Sequence, residues 1–383
     1  MTLHSLLLYV LIFFGMVAAP FSILQPILLI MNRNLRKYKH RPYVAGRRVI
    51  ILITTVGQAS NVVNHIIEVI RGYALDVDIR VLIEEYDRSV YNADAIVVPE
   101  SYRTEKNSQN KHRALHYFSQ WLSDNGYSSD TYVIHLDDDT YVTREYIQHV
   151  FSMEEDAGLG TVRLREYGHS LFSTLADFGR VTDYDSYVSF FSSRHRPIGV
   201  NGEGLTIRAD IESELGWDFG PVSAEDLVMG QKIFSHGYSF GYIPGYVMIA
   251  PATNAKDFYR QRRRWVDHFI KSSRDIWKLR KAAFIWFSYL YTFGWGSLTG
   301  LIIWALVVLV GYRPPVPVLV ILTYELIMAF ISKQYGAWTV KEKKYRIILL
   351  LLQIPVTVFE SGTFFYWAFK RPKGTKDYTI AKV

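Results

Sequence analysis

Residues 3 to 31 contain no Asp, Glu, Lys or Arg, and a charge-free run of that length exceeds the roughly 20 residues a membrane-spanning helix needs. A cleaved signal peptide is shorter and begins with a basic segment. The stretch therefore reads as a retained helix, kinked or extended by Pro20 and Pro26. Three further apolar segments follow near the other end, at 284–311, 315–333 and 346–369. With 49% hydrophobic residues in 383, this arrangement leaves 46–255 as the soluble part. The expected division is an N-terminal transmembrane helix with basic linker (1–45), a catalytic-sized domain (46–255), a basic interfacial segment (256–282) and C-terminal transmembrane helices (283–383).

Basic loops orient such a chain. Arg33, Arg36, Lys37, Lys39, Arg41, Arg47 and Arg48 follow the first span without one acid, and Lys333, Lys341, Lys343, Lys344 and Arg346 fall between the last two apolar segments. Both groups belong on the cytoplasmic face, which places the soluble domain there in an integral membrane protein. The basic tail (Lys370, Arg371, Lys373, Lys376) conflicts with an odd final crossing, and Pro355, Glu360 and Gly362 leave room for a re-entrant hairpin. The net charge is +7. Because the basic residues cluster beside the apolar segments, they point to anionic headgroups or phosphate-bearing ligands rather than nucleic acid. The chain has no cysteine, which excludes disulfides, thiolate zinc sites and cysteine nucleophiles.

Within 46–255, short apolar runs alternate with helical patterns: RVIILITTV (48–56), NVVNHIIEVIR (61–71), VDIRVLIEEYD (77–87), ADAIVVPE (93–100), a helix over 110–123, and TYVIHLDDD (131–139). That alternation predicts an α/β fold with a mainly parallel sheet, whose ligands sit outside the carboxyl ends of the strands. Thr54 and Thr55, then Glu84, Glu85 and Asp87, then Glu100, then Asp137 to Asp139 end successive strands. Each acid alone is as readily a solvated turn former; together they suggest one crevice.

Asp137, Asp138 and Asp139 crowd like charges at a strand end. Two carboxylates about 5 Å apart at an effective dielectric near 20 repel by roughly 3 kcal/mol. On an extended chain Asp137 and Asp139 point the same way and can share a divalent ion, with Asp138 turned elsewhere. Hard oxygen ligands favour Mn²⁺ or Mg²⁺.

The ordered set HLDDDT, GVNGEGLTIR (199–208), SAEDLVMGQKIFSHGY (223–238) and QRRRW (261–265) resembles the inverting, metal-dependent family 2 glycosyltransferases with a GT-A fold. It is most similar to the membrane-bound branch holding cellulose, chitin and hyaluronan synthases and the egghead-type β-1,4-mannosyltransferases. The resemblance covers roughly residues 48–270. It implies that Asp137 and Asp139 hold the metal on the nucleotide-sugar diphosphate, and that Asp226 is the general base. Thr54, Thr55, Glu84, Glu85, Asp87, Asp138 and the basic segment with Lys111 and Arg113 would lie along the nucleotide. Gln261, Arg264 and Trp265, with Gly202, Glu203 and Glu225, would lie near diphosphate and acceptor. Egghead-like spacing implies GDP-mannose as donor.

Inverting transfer needs one base on the acceptor hydroxyl and a cation on the departing diphosphate. Glu225 and Asp226 are adjacent, so only one should face the substrate; both also suit the cap of a helix starting near Leu227. Arg262 and Arg263 read equally as active-site groups or as an anchor on anionic lipid, with Phe258, Trp265, Phe269 and Ile276 as the apolar face of a helix on the bilayer. His135, His195 and His236 read as packed or solvent-bridged. Glu325 and Glu360 inside apolar segments either line a lipid or glycan path or face a neighbouring helix.

TTVGQASN after the first strand departs from the proline- and acid-bearing loop usual in the family, leaving the base contacts open. The few spans favour single addition to a lipid-linked or glycolipid acceptor. A processive polysaccharide synthase, and a catalytically silent nucleotide-sugar-binding membrane protein, are the alternatives.

Overall fold

The structure is a computed structural model that describes residues 41–57, 59–165, 170–196, 200, 202–220, 225–265 and 313–369, with shorter pieces at 9, 23–33, 35, 301–302, 304–309 and 311. Its centre is β1 (Arg48–Thr54), whose Val49 to Ile53 are all buried. A β-branched run covered on both faces belongs inside a parallel sheet. β1 pairs in parallel with β2 (Asp78–Glu84) and β4 (Thr131–Asp137), and β2 pairs in parallel with β3 (Asp94–Val98). The remaining strands are β5 (Tyr141–Val142), β6 (Ala157–Leu164), β7 (Thr206–Arg208) and β8 (Phe240–Ile249). The order is β3-β2-β1-β4-β7-β6-β8-β5. β7 runs against β4 and β6, and β5 against β8, while β6 and β8 are parallel. The sheet is thus mixed but mainly parallel. Register sets Thr54 beside Asp137 and Glu84 beside Val98, so these strand ends meet at one edge.

The helices in chain order are α1 (Ile23–Asn32), α2 (Ser60–Arg71), α3 (Asn110–Asp124), α4 (Arg144–Val150), α5 (Leu171–Asp183), α6 (Ser189–Ser192), α7 (Ala209–Leu215) and α8 (Glu225–Ser235). α9 (255–265) and α10 (304–309) precede α11 (Val316–Trp338) and α12 (Lys344–Phe369). α2 turns Val63, Ile66, Ile67 and Ile70 inward, the i, i+3, i+4, i+7 stripe of a helix lying on a sheet. α5 is buried almost throughout and continues into a π-helical turn, Tyr184–Val188.

α11 and α12 are long and apolar enough to cross a membrane. They leave Val316, Val320, Ile327, Ile331, Ile347, Leu350, Leu351 and Ile354 exposed. α12 is one continuous helix through Pro355, so the re-entrant hairpin does not form. Lys333, expected in a cytoplasmic loop, lies inside α11 and is buried. Its charge is met by Glu360 of α12, the neighbouring-helix reading of that acid. Phe258, expected to lie on the bilayer, is buried and stacks on Phe359 of α12 at 5.0 Å, since the apolar side of α9 has a helix to cover it. The expected spans at 3–31 and 284–311, and the interfacial residues beyond 265, lie mostly or wholly outside the described residues.

Two glycines fix close approaches. A Cβ on Gly336 of α11 would come within 2.1 Å of the Phe178 carbonyl oxygen of α5, so the two helices cross backbone to backbone. Gly204, with φ +81, would drive a Cβ to 2.4 Å from Val247, while its N–H donates to the His135 carbonyl at 2.9 Å. Gly204→Ala combines left-handed strain with overpacking and should cost about 2–4 kcal/mol. Gly46→Ala, with φ +78 and open space around it, should cost only the strain, roughly 1–2 kcal/mol. Thermal unfolding of the two variants checks the difference.

Candidate active site

β4 stops at Asp137, and Thr140 closes the turn after it. The Thr140 N–H donates to the Asp137 carbonyl at 3.1 Å, and its Oγ1 accepts from the Asp137 N–H at 3.1 Å. Asp138 and Asp139 therefore lie in a turn, and the extended alternation assumed for Asp137 and Asp139 does not apply. Asp138 does turn away: it is buried, and its Oδ2 accepts from Thr55 Oγ1 at 2.9 Å. Thr55 Oγ1 accepts from the Gly57 N–H at 3.1 Å, so the middle carboxylate fastens the turn after β1 instead of reaching into the crevice. Asp137 and Asp139 are half-buried.

A cation already sits among the remaining acids. Lys111 Nζ from the first turn of α3 lies 2.6 Å from Asp137 Oδ1 and 3.3 Å from Glu225 Oε1. Burial opposes its charge, but Asp137, Glu225 and Asp226 outweigh that and raise its pKa. His112 Nε2 lies 3.5 Å from Glu225 Oε2. Glu225 thus turns toward α3, and Asp226 takes the other side of the helix start.

Asp226 is oriented by backbone. Its Oδ2 accepts from the Gly202 N–H at 2.6 Å and its Oδ1 from the Leu227 N–H at 2.8 Å. Burial, then the charge of Glu225, pushes its carboxyl up to about 7, with Lys111 and the two N–H donors pulling against them. Asp226 keeps a partly exposed edge. Gly202 lies close to both charged groups: a Cβ there would stand 3.2 Å from Lys111 Nζ and 3.5 Å from Asp226 Oδ2.

The acids ending β2 are mostly committed locally. Glu84 is buried and paired with Arg113, whose Nη1 donates to the Pro99 and Tyr102 carbonyls at 2.9 and 3.0 Å. Burial lifts the Glu84 carboxyl, Arg113 opposing. Glu85 accepts from the Glu100 N–H at 2.7 Å. Asp87 accepts from the Ser89 N–H at 2.8 Å and the Tyr91 hydroxyl at 2.6 Å; against its burial, those donors hold it below its ordinary range. For these residues the turn-forming reading describes the geometry, at the end of the strand that pairs with β1.

In α9, Gln261 Oε1 accepts from Arg262 Nη1 at 2.6 Å. Arg262 is fully buried, 2.6 Å from Asp177 Oδ1 of α5, with its guanidinium 4.1 Å from the centres of both Phe258 and Trp265. That removes it from the bilayer surface, because an arginine at zero exposure has no route to a headgroup. Arg264 is half-exposed, and among the described residues no hydrogen bond or ion pair engages it. Trp265 also meets Arg180 of α5 at 4.9 Å. Glu203, expected to face ligand, gives both carboxylate oxygens to Arg180 Nη2 at 3.0 and 2.7 Å. Asp177, Arg180 and His112 were not singled out from sequence; an acid and an arginine three apart inside the apolar LFSTLADFGR was the available signal, because a buried charge requires a partner. His135 packs against Glu212 at 3.0 Å, His195 against the Phe240 carbonyl at 2.9 Å, and His236 against the Lys232 carbonyl at 2.9 Å.

Among the described residues no group of three or more His, Cys, Asp and Glu forms a ready metal cage. Carboxylate oxygen is nevertheless the donor type a hard divalent ion takes. Asp137 already holds a cationic group at 2.6 Å in Lys111, and two carboxylates suffice where substrate phosphates supply further ligands.

A family model for Glycosyl transferase family group 2 matches residues 132–331, more than half of the chain. The chain belongs to this family. The β-1,4-mannosyltransferases bre-3 of Caenorhabditis briggsae and Caenorhabditis elegans are each 30% identical over 182 residues, 45% of this chain and 39% of theirs. The β-1,4-mannosyltransferase egh of Drosophila melanogaster is 29% identical over the same extent. The chain thus spans well under half the length of these curated relatives. A mannosyltransferase from Pyrobaculum calidifontis, solved with GDP-Man and Mn²⁺, superposes with a TM-score of 0.53 at 14% identity, over 94% of this chain and 100% of that one. The GT-A fold is shared. The match to glycosyl transferase family group 2 takes in the Asp137 turn, loop 202–204, the start of α8, and α9. Arg262→Met should cost about 3–5 kcal/mol by removing the 2.6 Å partner of buried Asp177 and leaving it only Arg180 at 3.8 Å, and Arg262→Lys less. Thermal unfolding in detergent checks this; an unchanged midpoint with weakened vesicle binding would return Arg262 to the lipid surface.

Proposed function

We propose that this family 2 protein is a membrane-bound, inverting glycosyltransferase that moves mannose from GDP-mannose to a lipid-linked or glycolipid acceptor at the cytoplasmic face. The observation that carries this reading is Asp226, held by the N–H groups of Gly202 and Leu227 at the head of α8 and linked electrostatically through Lys111 to Asp137. The names of the mannosyltransferase relatives support mannose. The exposed apolar faces of α11 and α12 support the bilayer.

Among the described residues each Asp226 oxygen accepts one backbone N–H, short of its acceptor capacity, so the carboxylate is oriented and still able to take a proton. It removes the acceptor's hydroxyl proton as that oxygen attacks the anomeric carbon. The bond from that carbon to the diphosphate breaks in the same displacement, and the configuration inverts. Asp137 and Asp139 would hold Mn²⁺ or Mg²⁺, which supplies positive charge to the leaving diphosphate. Lys111 and the guanidinium of Arg264, which no hydrogen bond or ion pair engages among the described residues, add donors for phosphate oxygens.

A base must be deprotonated to act. With its pKa raised from 3.8 to about 7, the active fraction of Asp226 climbs as pH rises through about 7 and is lost below it; bound metal moves this limb toward lower pH. Asp226→Asn should reduce transfer at least ~10²-fold while leaving thermal stabilisation by GDP-mannose and Mn²⁺ intact. Asp139→Ala should abolish the Mn²⁺-dependent part of that stabilisation. A donor panel with product sizing checks both; a polymer ladder would make the chain a processive synthase, and unchanged turnover in Asp226→Asn would remove the base assignment.

A further inference from the structure

Loop 202–204 is fixed at three successive residues, each to a different partner. Gly202 donates to Asp226, Glu203 binds Arg180, and Gly204 donates to the β4 carbonyl of His135. The first and third anchors are backbone N–H groups. The middle one is a side-chain ion pair, and it is the inner end of a longer series. Arg180 lies 3.8 Å from Asp177, Asp177 lies 2.6 Å from Arg262, Arg262 lies 3.6 Å from Glu360, and Glu360 pairs with Lys333, whose Nζ also lies 3.4 Å from the Ala176 carbonyl. Three cations alternate with three anions. The series runs from the loop that holds Asp226, through α5 and α9, to α11 and α12.

Buried ion pairs are poor stabilisers relative to apolar packing, and their best-attested use is to specify one arrangement. Here the arrangement specified includes the orientation of Asp226. We propose that Arg180 is a positioning residue: by clamping Glu203 with both carboxylate oxygens engaged, it sets the Gly202 N–H against Asp226 and ties that contact to α11 and α12. The same guanidinium covers Trp265, so the base loop and the end of α9 share one anchor. Both Glu203 oxygens meet Nη2 while Nη1 faces Asp177 at 3.8 Å, so a lysine, with a single nitrogen, can keep the charge on Glu203 but not serve both acids. This inference rests on the reading of Asp226 as base.

The test compares Arg180→Met, Arg180→Lys and Glu203→Gln in the full chain, in detergent, with Mn²⁺ and GDP-mannose. The expected result is a kcat lower by ~10- to 100-fold in Arg180→Met, with donor KM within about twofold and partial rescue in Arg180→Lys. Amide hydrogen exchange on peptides covering 199–206 should speed up in Arg180→Met and Glu203→Gln. If Arg180→Met fails to fold, the near-isosteric Glu203→Gln carries the same kinetic and exchange test. Unchanged kcat with unchanged exchange overturns the inference, as does a raised donor KM at constant kcat, which would make Arg180 a donor-binding residue. A wild-type chain that transfers no sugar from any donor defeats the functional reading instead, and the exchange comparison alone then decides whether Arg180 positions the loop.

Discussion

At the carboxyl edge of the sheet, the acids from β4 and α8 meet around one ammonium group. Lys111 stands between Asp137 and Glu225 and within electrostatic reach of Asp226, so three carboxylates from two distant parts of the chain can approach one another. Without a cation, like charges this close would repel by a few kcal/mol, comparable to a large fraction of a domain's net stability. The lysine comes from the first turn of α3, and the acids come from the end of β4 and the head of α8. The α/β topology brings these three together, since parallel strands deliver their ends to one side.

Hydrogen bonds then divide the labour among residues that look equivalent in sequence. Of the three consecutive aspartates, the middle one is spent on Thr55 and the outer two stay half-exposed. Of the adjacent pair at the head of α8, Glu225 faces α3 and Asp226 faces loop 202–204. The division follows from helix and turn geometry: neighbouring residues cannot face the same partner, so each takes the nearest donor.

Strands β1 to β4, helices α2 and α3 and the two C-terminal apolar helices were legible because their signals are local: β-branched runs, a 3.6-residue apolar stripe, long uncharged segments. The reversed strand β7 was not, being three residues long and defined only by pairing with β4 and β6. Asp137, Asp226 and Gln261 stand out as candidates because they sit in short motifs. The partners of Asp87 and Glu203 were not legible, since the fold sets them: Tyr91 four residues on for one, Arg180 on another helix for the other. Arg262 was ambiguous for the same reason, as nothing in QRRRW tells which arginine meets a buried aspartate 85 residues away.

The backbone crossing at Gly336 and Phe178 bears on how such a chain can be cut. Hydropathy suggests a soluble piece that ends before the apolar C-terminal helices. Yet α5 meets α11 with no side chain between them, and the Lys333 ammonium lies beside the Ala176 carbonyl. A fragment lacking α11 and α12 would bare the α5 surface that lies beneath Gly336 and strip Arg262 of Glu360. The sheet-bearing part and the apolar helices are therefore joined by backbone contact and buried charge rather than by a flexible link.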